Sequence, residues 1–201
     1  PVKTVNPDGS TGRVNTEVMY DNMMNKFAWG NLTGEGVYLD ETNLRMCMNF
    51  RSNFARLAMS LLDEGQNEDG SFDAEKKKKA VAVLDRCMEV FPESSVPYNY
   101  FVLPVAEAYY RAGEMEKANN IVSRLIDLYD SELAYYFSLD SHRSELLDSE
   151  KQQSLYILQR IIVLTEGLKQ DVVFKKAEPV FAKYYELFTG IPYKMPRDTT
   201  K

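Results

Sequence analysis

The chain has very few of the side chains on which most catalytic and metal sites depend. Its 201 residues include one histidine and two cysteines. A His/Cys zinc site, an iron–sulfur cluster and a Ser-His-Asp triad are therefore nearly excluded. The single histidine, His142, lies in a polar stretch, which indicates an exposed side chain. Because G-x-S-x-G, H-E-x-x-H and a glycine-rich phosphate loop are also missing, no cofactor, metal or catalytic residue is predicted.

Excess positive charge and long apolar runs are missing as well. The chain has 24 lysines and arginines against 30 aspartates and glutamates, a net charge of −6. This balance argues against nucleic acid and anionic lipid as partners. No stretch approaches the ~18 apolar residues of a membrane span, so direct membrane insertion is not expected. The start resembles neither a signal peptide nor an initiating methionine, so we expect a segment of a longer protein.

The two cysteines, Cys47 and Cys87, match no metal or redox spacing. Each falls on an apolar helical face, a pattern typical of buried cysteines that act as small hydrophobic side chains. A disulfide between two facing helices is the alternative.

The 44% hydrophobic content is spaced with a helical period. The period predicts helices over 19–29, 40–65, 74–90, 97–112, 114–129, 144–169 and 172–188, with a short aromatic-rich segment over 131–139. Pro104 should lie in the first turn of its helix or kink it, and Pro179 predicts a kink or a late start. With no alternating strand pattern, the fold class is all-α with about seven to eight helices. The predicted organisation is a linker or extended arm over 1–16, one helical repeat-like domain over 17–189 and a loose tail over 190–201.

Large and small residues recur in the same order in two segments of the chain. The first is Phe54-x-x-Leu57-Ala58-x-x-Leu61, Gly65 and Ala80-x-x-x-Leu84, and the second is Val102-x-x-Val105-Ala106-x-x-Tyr109, Gly113 and Ala118-x-x-x-Val122. The small residues allow antiparallel helices to cross closely. Over about 43–130 this order resembles the tetratricopeptide repeat, which implies antiparallel helical hairpins in an α-α superhelix and a role in protein binding.

The same resemblance implies a groove between the two repeat units. Its candidate lining residues are Ala55, Met59, Leu62, Leu103, Glu107 and Tyr110. The lysine and asparagine clamp with which some members of that family bind a C-terminal carboxylate is absent. The groove would therefore hold a partner helix or an extended segment. Alternatively, the chain's own later helices or N-terminal arm fill it.

A second resemblance covers nearly the whole chain. It rests on YDNMMNKF at 20–27, VYLDETNLRM at 37–46, VLDRCME at 83–89 and VPYNY at 96–100. These segments closely resemble the C-terminal soluble region of large multi-spanning Bacteroidetes membrane proteins, a family of unknown function related to protein O-mannosyltransferases. The resemblance implies a periplasm-facing helical appendage of a lipid-phosphate-sugar-dependent glycosyltransferase. The implied partners are acceptor protein, partner subunits, glycan or the parent's own membrane domain, and no catalytic residue is carried over.

The segment with the densest asparagine, aromatic and charged content gives the candidate interaction surface. Its members are Tyr20, Asp21, Asn22, Lys26, Trp29, Tyr38, Arg45 and Arg51. The alternative is that this segment only pins the N-terminal arm onto the helices. Three functions stay open: a non-catalytic interaction domain on the periplasmic side of the inner membrane, a small helical enzyme with two facing carboxylates in a groove, and a free-standing cytoplasmic adaptor. The sequence does not determine the oligomeric state.

Overall fold

A computed structural model describes residues 14–34 and 36–194 of the chain. Their regular structure consists of eight α-helices, one π-helical turn and one 3₁₀ turn, and the only β-pairing among them is a single bridge between Gln66 and Phe72. The predicted all-α class is confirmed. The predicted arm and tail lie largely outside the described residues. The chain divides into two compact units, 1–115 and 116–201, and the expectation of a single domain over 17–189 stays a prediction.

The first unit is organised around one long helix. Its elements are α1 (Thr16–Asp21), the π-helical turn (Asn22–Lys26), α2 (Glu41–Gly65), α3 (Ala74–Val90), the 3₁₀ turn (Tyr100–Val102) and α4 (Leu103–Arg111). Helix α2 packs mainly against α3 and also contacts α1 and α4. Asp40 caps α2, because its side chain accepts a hydrogen bond from the backbone N–H of Asn43 at 2.8 Å. Asp73 caps α3 in the same way, by accepting a hydrogen bond from the backbone N–H of Lys76 at 2.9 Å. The predicted limits of both helices agree with these caps.

Two glycines mark helix ends in different ways. Gly65 is the last residue of α2, where a Cβ would lie only 2.7 Å from the Cβ of Lys76 on α3. Gly65 is therefore required by the close approach of the two helices. Gly113 follows α4 with a φ of +80°, a conformation that glycine adopts without strain.

The N-terminal helix differs from its prediction. It begins at Thr16, inside the predicted arm, because the Asn15 side chain caps it by accepting a hydrogen bond from the Val18 amide at 3.1 Å. It then widens into the π-helical turn, where the Phe27 amide donates to the Asn22 carbonyl at 2.8 Å. The predicted helix to Trp29 therefore ends three residues early, at Lys26.

The second unit contains the remaining helices. They are α5 (Met115–Ser138), whose first residue belongs to the first unit, α6 (Ser141–Glu145), α7 (Asp148–Gly167) and α8 (Asp171–Thr189). Helix α5 runs without interruption through the predicted break near 130, where the Ser131 hydroxyl donates to the Asp127 carbonyl at 2.9 Å within the helix. Pro179 lies inside α8 and does not delay its start. The predicted helix over 144–169 is instead divided between α6 and α7.

Helix α8 packs on α7 and is tied by polar contacts to α5. Its predicted core residues are all buried: Val173, Ala177, Phe181 and Tyr184. Lys176 donates to the Ser123 hydroxyl at 2.7 Å, and the Tyr184 hydroxyl donates to the Asp130 carboxylate at 2.8 Å. Apolar burial and polar bonds to α5 therefore both fix the position of α8.

The small residues of the repeat pattern are buried, and the two cysteines differ in their burial. The four alanines of the repeat pattern, Ala58, Ala80, Ala106 and Ala118, are fully buried. Their burial agrees with close helix crossing, while tetratricopeptide-like packing stays a prediction. Both cysteines are free thiols, so the disulfide alternative is not observed. Cys87 is buried, which raises the pKa of its thiol to about 12, and Cys47 is half-buried.

Candidate functional site

The members of the predicted interaction surface have separate roles in the structure. Tyr38 is 88% exposed, Arg45 is paired with Glu41 on α2, and Lys26 is paired with Asp21. A hydrogen bond from the Asn25 side chain, and then the neighbouring Lys26, lower the pKa of Asp21.

Arg51 corrects the prediction most clearly, because it is fully buried. Its guanidinium donates to the backbone carbonyls of Phe91 at 2.8 Å and Pro97 at 2.9 Å, and also to that of Val96. The group stacks at 5.2 Å on the ring of Tyr98. Burial lowers the pKa of the guanidinium. Arg51 therefore fastens the loop after α3 to α2 and belongs to the core.

Trp29 also packs inward. Its ring centroid lies 5.1–5.5 Å from those of Phe50, Phe54 and Phe91. Its indole Nε1 donates to the Met23 carbonyl at 3.2 Å, which satisfies a group in the π-helical turn. For Trp29 the geometry favours the alternative in which this segment is pinned onto the helices.

Thr16 makes the second connection between the N-terminal segment and α2. It is buried, and its hydroxyl contacts both carboxylate oxygens of Glu64 at 2.9 and 2.8 Å. Glu64 in turn accepts a hydrogen bond from Lys76 at 2.7 Å. Helix α1 is therefore held against the hairpin of α2 and α3.

The groove predicted from the repeat is not open. Four of its six residues, Ala55, Leu62, Leu103 and Tyr110, are at most 3% exposed. Met59 and Glu107 are half-buried. Burial raises the pKa of the Tyr110 hydroxyl to about 12. These side chains fill space between helices, and whether the later helices or the N-terminal arm cover them stays a prediction.

An open groove lies instead between the N-terminal segment and the outer face of α2. One cavity of about 410 Å³ is lined by Val18, Asn22 and Phe27 on one side and by Phe50, Asn53 and Arg56 on the other. A second cavity of about 210 Å³ is lined by Met46, Asn49, Phe50 and Asn53. Because the two cavities share Phe50 and Asn53, they form one depression along α2. We call it the α2 groove, and Asn22 is the member of the predicted surface that lines it.

The polar groups of the α2 groove are mostly amides. Among the described residues, no side chain or backbone group hydrogen-bonds to the side chains of Asn22, Asn49 and Asn53. Among the lining residues that the structure describes, Arg56 is the charged one, and none is an aspartate or a glutamate. The groove therefore offers both donors and acceptors above an apolar floor.

The apolar groups of the α2 groove are partly open to solvent. Val18, Phe27 and Met46 are each about half exposed, at 55%, 47% and 53%. Since burial of apolar surface is worth about 25 cal/mol per Å², covering these side chains would be favourable. The groove has the mixed apolar and polar character of a binding surface.

Other kinds of functional site are less evident in the described ranges. There, no three histidine, cysteine, aspartate or glutamate side chains are grouped so as to hold a metal ion. No helix in these ranges has both the length and the apolar content needed to cross a membrane. No protein-family model, curated protein or solved structure matches the chain. The α2 groove therefore stays the candidate functional site.

Proposed function

We propose that this chain is a non-catalytic helical interaction domain that binds a segment of a partner protein in the α2 groove. The observation that carries the proposal is the combination in one depression of exposed apolar side chains and amides to which no described residue hydrogen-bonds. A polypeptide offers the matching groups, since it carries apolar side chains and backbone N–H and C=O groups. The cavity of about 410 Å³ has the size of an ordinary ligand site.

A wider proposal concerns the protein to which the domain belongs. We propose a tetratricopeptide-like helical appendage on the periplasmic side of a glycosyltransferase-like membrane protein. The resemblance of four segments of the first unit to such proteins supports this. Reading the gene upstream of Pro1 tests it: the proposal expects several membrane spans. An upstream start codon with no spans would favour the free-standing cytoplasmic adaptor.

Photo-crosslinking in the native cells tests the binding proposal. Met46, half exposed in the groove, is replaced by a photoreactive benzoylphenylalanine in the full gene product. The matched control carries the same group at Tyr156, which is 60% exposed on α7 and lies outside the groove. We expect a discrete protein adduct from position 46 and none of the same mass from position 156. Equal adducts at both positions, or none at position 46, would contradict binding in the groove.

A further inference from the structure

We infer that the N-terminal segment, residues 16–34, detaches from the hairpin of α2 and α3 and reattaches to it as one cooperative unit, and that the loop over 91–97 controls this equilibrium. The α2 groove is complete only while the segment is attached, because Val18, Asn22 and Phe27 supply one of its two sides. Regulation of partner binding by this equilibrium rests on the proposed function, whereas the equilibrium itself follows from the contacts of the segment.

The helical parts of the segment are too short to persist without the contacts that they make. Helix α1 has six residues and the π-helical turn has five, whereas an isolated helix shorter than about 12 residues is marginal in water. Val18 and Phe27 are each about half exposed, while Thr16 and Met23 are buried. A segment that leaves the hairpin therefore loses its helical hydrogen bonds as well, so attachment and helix formation occur together.

Contacts at both ends and in the middle of the segment attach it to the rest of the first unit. At the first end, the Thr16 hydroxyl donates to a carboxylate on α2 at 2.8 Å. In the middle, the Trp29 ring packs among three phenylalanine rings, and its Nε1 donates to the Met23 carbonyl at 3.2 Å within the segment. At the other end, the Leu32 carbonyl accepts a hydrogen bond from the Ser95 hydroxyl. Because short helical structure connects these contacts, the loss of one weakens the others.

The 91–97 loop connects the segment to Arg51. The Phe91 ring packs against the Trp29 ring with 5.5 Å between their centroids. Ser95 is buried, and its hydroxyl donates to the backbone of the segment. The buried guanidinium of Arg51 binds three carbonyls of the same loop and so fixes its position. Arg51 is therefore a positioning residue that acts on the segment through the loop.

The connection between the segment and α2 permits this movement. Gly36 has a φ of +71°, a conformation that glycine adopts without strain, and a Cβ added there would meet no atom within 4 Å. Tyr38, two residues later, is 88% exposed. Because the connection is exposed, its backbone can rotate and carry the segment away while α2 stays intact.

Detachment of the segment removes one side of the α2 groove. Phe50, Asn53 and Arg56 stay in place on α2, whereas the lining side chains of the segment leave with it. A partner that contacts both sides therefore binds the attached form and raises its population. The apparent affinity for such a partner falls with the fraction of chains in which the segment is attached. The equilibrium of the segment thus sets how many chains are able to bind.

Amide hydrogen exchange on the full 201-residue chain, followed by mass spectrometry, tests the inference. The method measures local opening of a folded protein under native conditions. We expect the amides of residues 18–27 to share one protection factor, at least about tenfold lower than that of the amides of α3. Equal protection of the two regions would overturn the inference, because the segment would then open only when the hairpin unfolds.

Variants at the two ends test whether the segment opens as one unit. Ser95→Ala removes the hydrogen bond at one end, and it should speed the exchange of amides 18–22 near the other end about fivefold. Thr16→Val removes the opposite hydrogen bond, and it should speed the exchange of amides 25–27 by a similar factor. A variant that speeds exchange only beside its own position would overturn the cooperative unit.

Two matched controls lie beside these positions. Ser94→Ala changes the exposed serine next to Ser95, and Thr33→Val changes an exposed threonine of the segment. Both should leave the exchange of amides 18–27 unchanged. If Ser95→Ala has no more effect than Ser94→Ala, the loop does not control the segment.

Arg51→Met tests the positioning role of Arg51. We expect the exchange of amides 18–27 to rise at least about fivefold, although the arginine bonds to the loop and not to these residues. A purely structural role would speed the exchange of α3 and leave that of 18–27 unchanged, which would overturn the positioning role. If Arg51→Met does not fold, Ser95→Ala decides whether the loop controls the segment.

The Met46 crosslink separates the equilibrium of the segment from the proposed function. Equal protection of the segment and α3, together with a Met46 adduct, would overturn the inference and leave the proposed function standing. Lower protection of the segment without a Met46 adduct would overturn the proposed function and support the equilibrium. Equal protection and no adduct would overturn both claims.

Discussion

At the scale of single residues, Arg51 shows how a sequence pattern and a structure can assign opposite roles. A charged residue among asparagines and aromatics suggests a surface, yet Arg51 is buried and bonds to three backbone carbonyls. The sequence could not show this, because those carbonyls belong to residues 40 or more positions away. Arg51 therefore stabilises the fold.

We predict that Arg51→Met lowers the free energy of unfolding by about 2–4 kcal/mol, since three backbone carbonyls lose their donor, two of them in buried hydrogen bonds. The control Arg45→Met removes an arginine from the same helix, where it makes a surface ion pair worth less than about 1 kcal/mol. Urea denaturation of both variants measures the difference. Equal losses in the two variants would refute a core role for Arg51.

Trp29 gives a second prediction at this scale. Trp29→Ala should cost about 3–5 kcal/mol because it empties the space between three phenylalanine rings and removes the donor to Met23. Tyr38→Ala, at a side chain that is 88% exposed, should change stability by less than about 0.5 kcal/mol. Thermal unfolding followed by circular dichroism compares them. If the Trp29→Ala variant is as stable as the Tyr38→Ala variant, Trp29 does not stabilise the fold, and its assignment to a binding surface would be favoured.

The thiols provide a test of burial. The raised pKa of Cys87, about 12, leaves almost no thiolate at pH 8, and the side chain is inaccessible. Cys47 is half-buried, and this partial burial also raises the pKa of its thiol. We predict that a disulfide reagent at pH 8 modifies Cys47 slowly in the native chain and Cys87 only after unfolding. Mass spectrometry of the labelled peptides measures both rates, and comparable native rates would contradict the packing of α3.

At the scale of elements, the helical period predicts the limits of a helix best where the helix has both a capping residue and one buried apolar stripe. Helices α2 and α3 begin after Asp40 and Asp73, and both have a single apolar stripe, so their limits agree with the prediction. The prediction wrongly divided helix α5 near Ser131, because the polar pair of Asp130 and Ser131 resembles a helix break. In the structure the Ser131 hydroxyl bonds back to a carbonyl of the same helix. The period describes one helix at a time and does not reveal what covers each face.

The connection between α5 and α8 can be tested with two neighbouring tyrosines. Tyr184→Phe removes the hydroxyl that donates to Asp130, and we expect a loss of about 1–2 kcal/mol. Tyr185→Phe is the matched control, because within the described part of the chain no hydrogen bond to the Tyr185 hydroxyl is found. Chemical denaturation compares the two. If both variants have the same stability, the polar contact does not contribute to the position of α8.

At the scale of the whole molecule, the chain has little histidine, little cysteine and no excess of positive charge. The sequence predicted the helical class and named Asn22, but it placed the groove on six residues of which four are buried. The α2 groove forms where α1 and the π-helical turn lie beside the polar face of α2, and Asn49 and Arg56 belong to that face. No periodicity could predict this, because it depends on how the N-terminal segment docks.

The central claim is that the α2 groove binds a partner protein, and a titration of the partner crosslinked from Met46 tests it most directly. Isothermal titration calorimetry would compare the unaltered chain with Asn53→Arg, which places a bulky cation in the groove, and with Asn120→Arg, which makes the same change outside it. We predict at least a hundredfold loss of affinity for Asn53→Arg and an unchanged affinity for Asn120→Arg. Equal affinities for all three chains would contradict the claim.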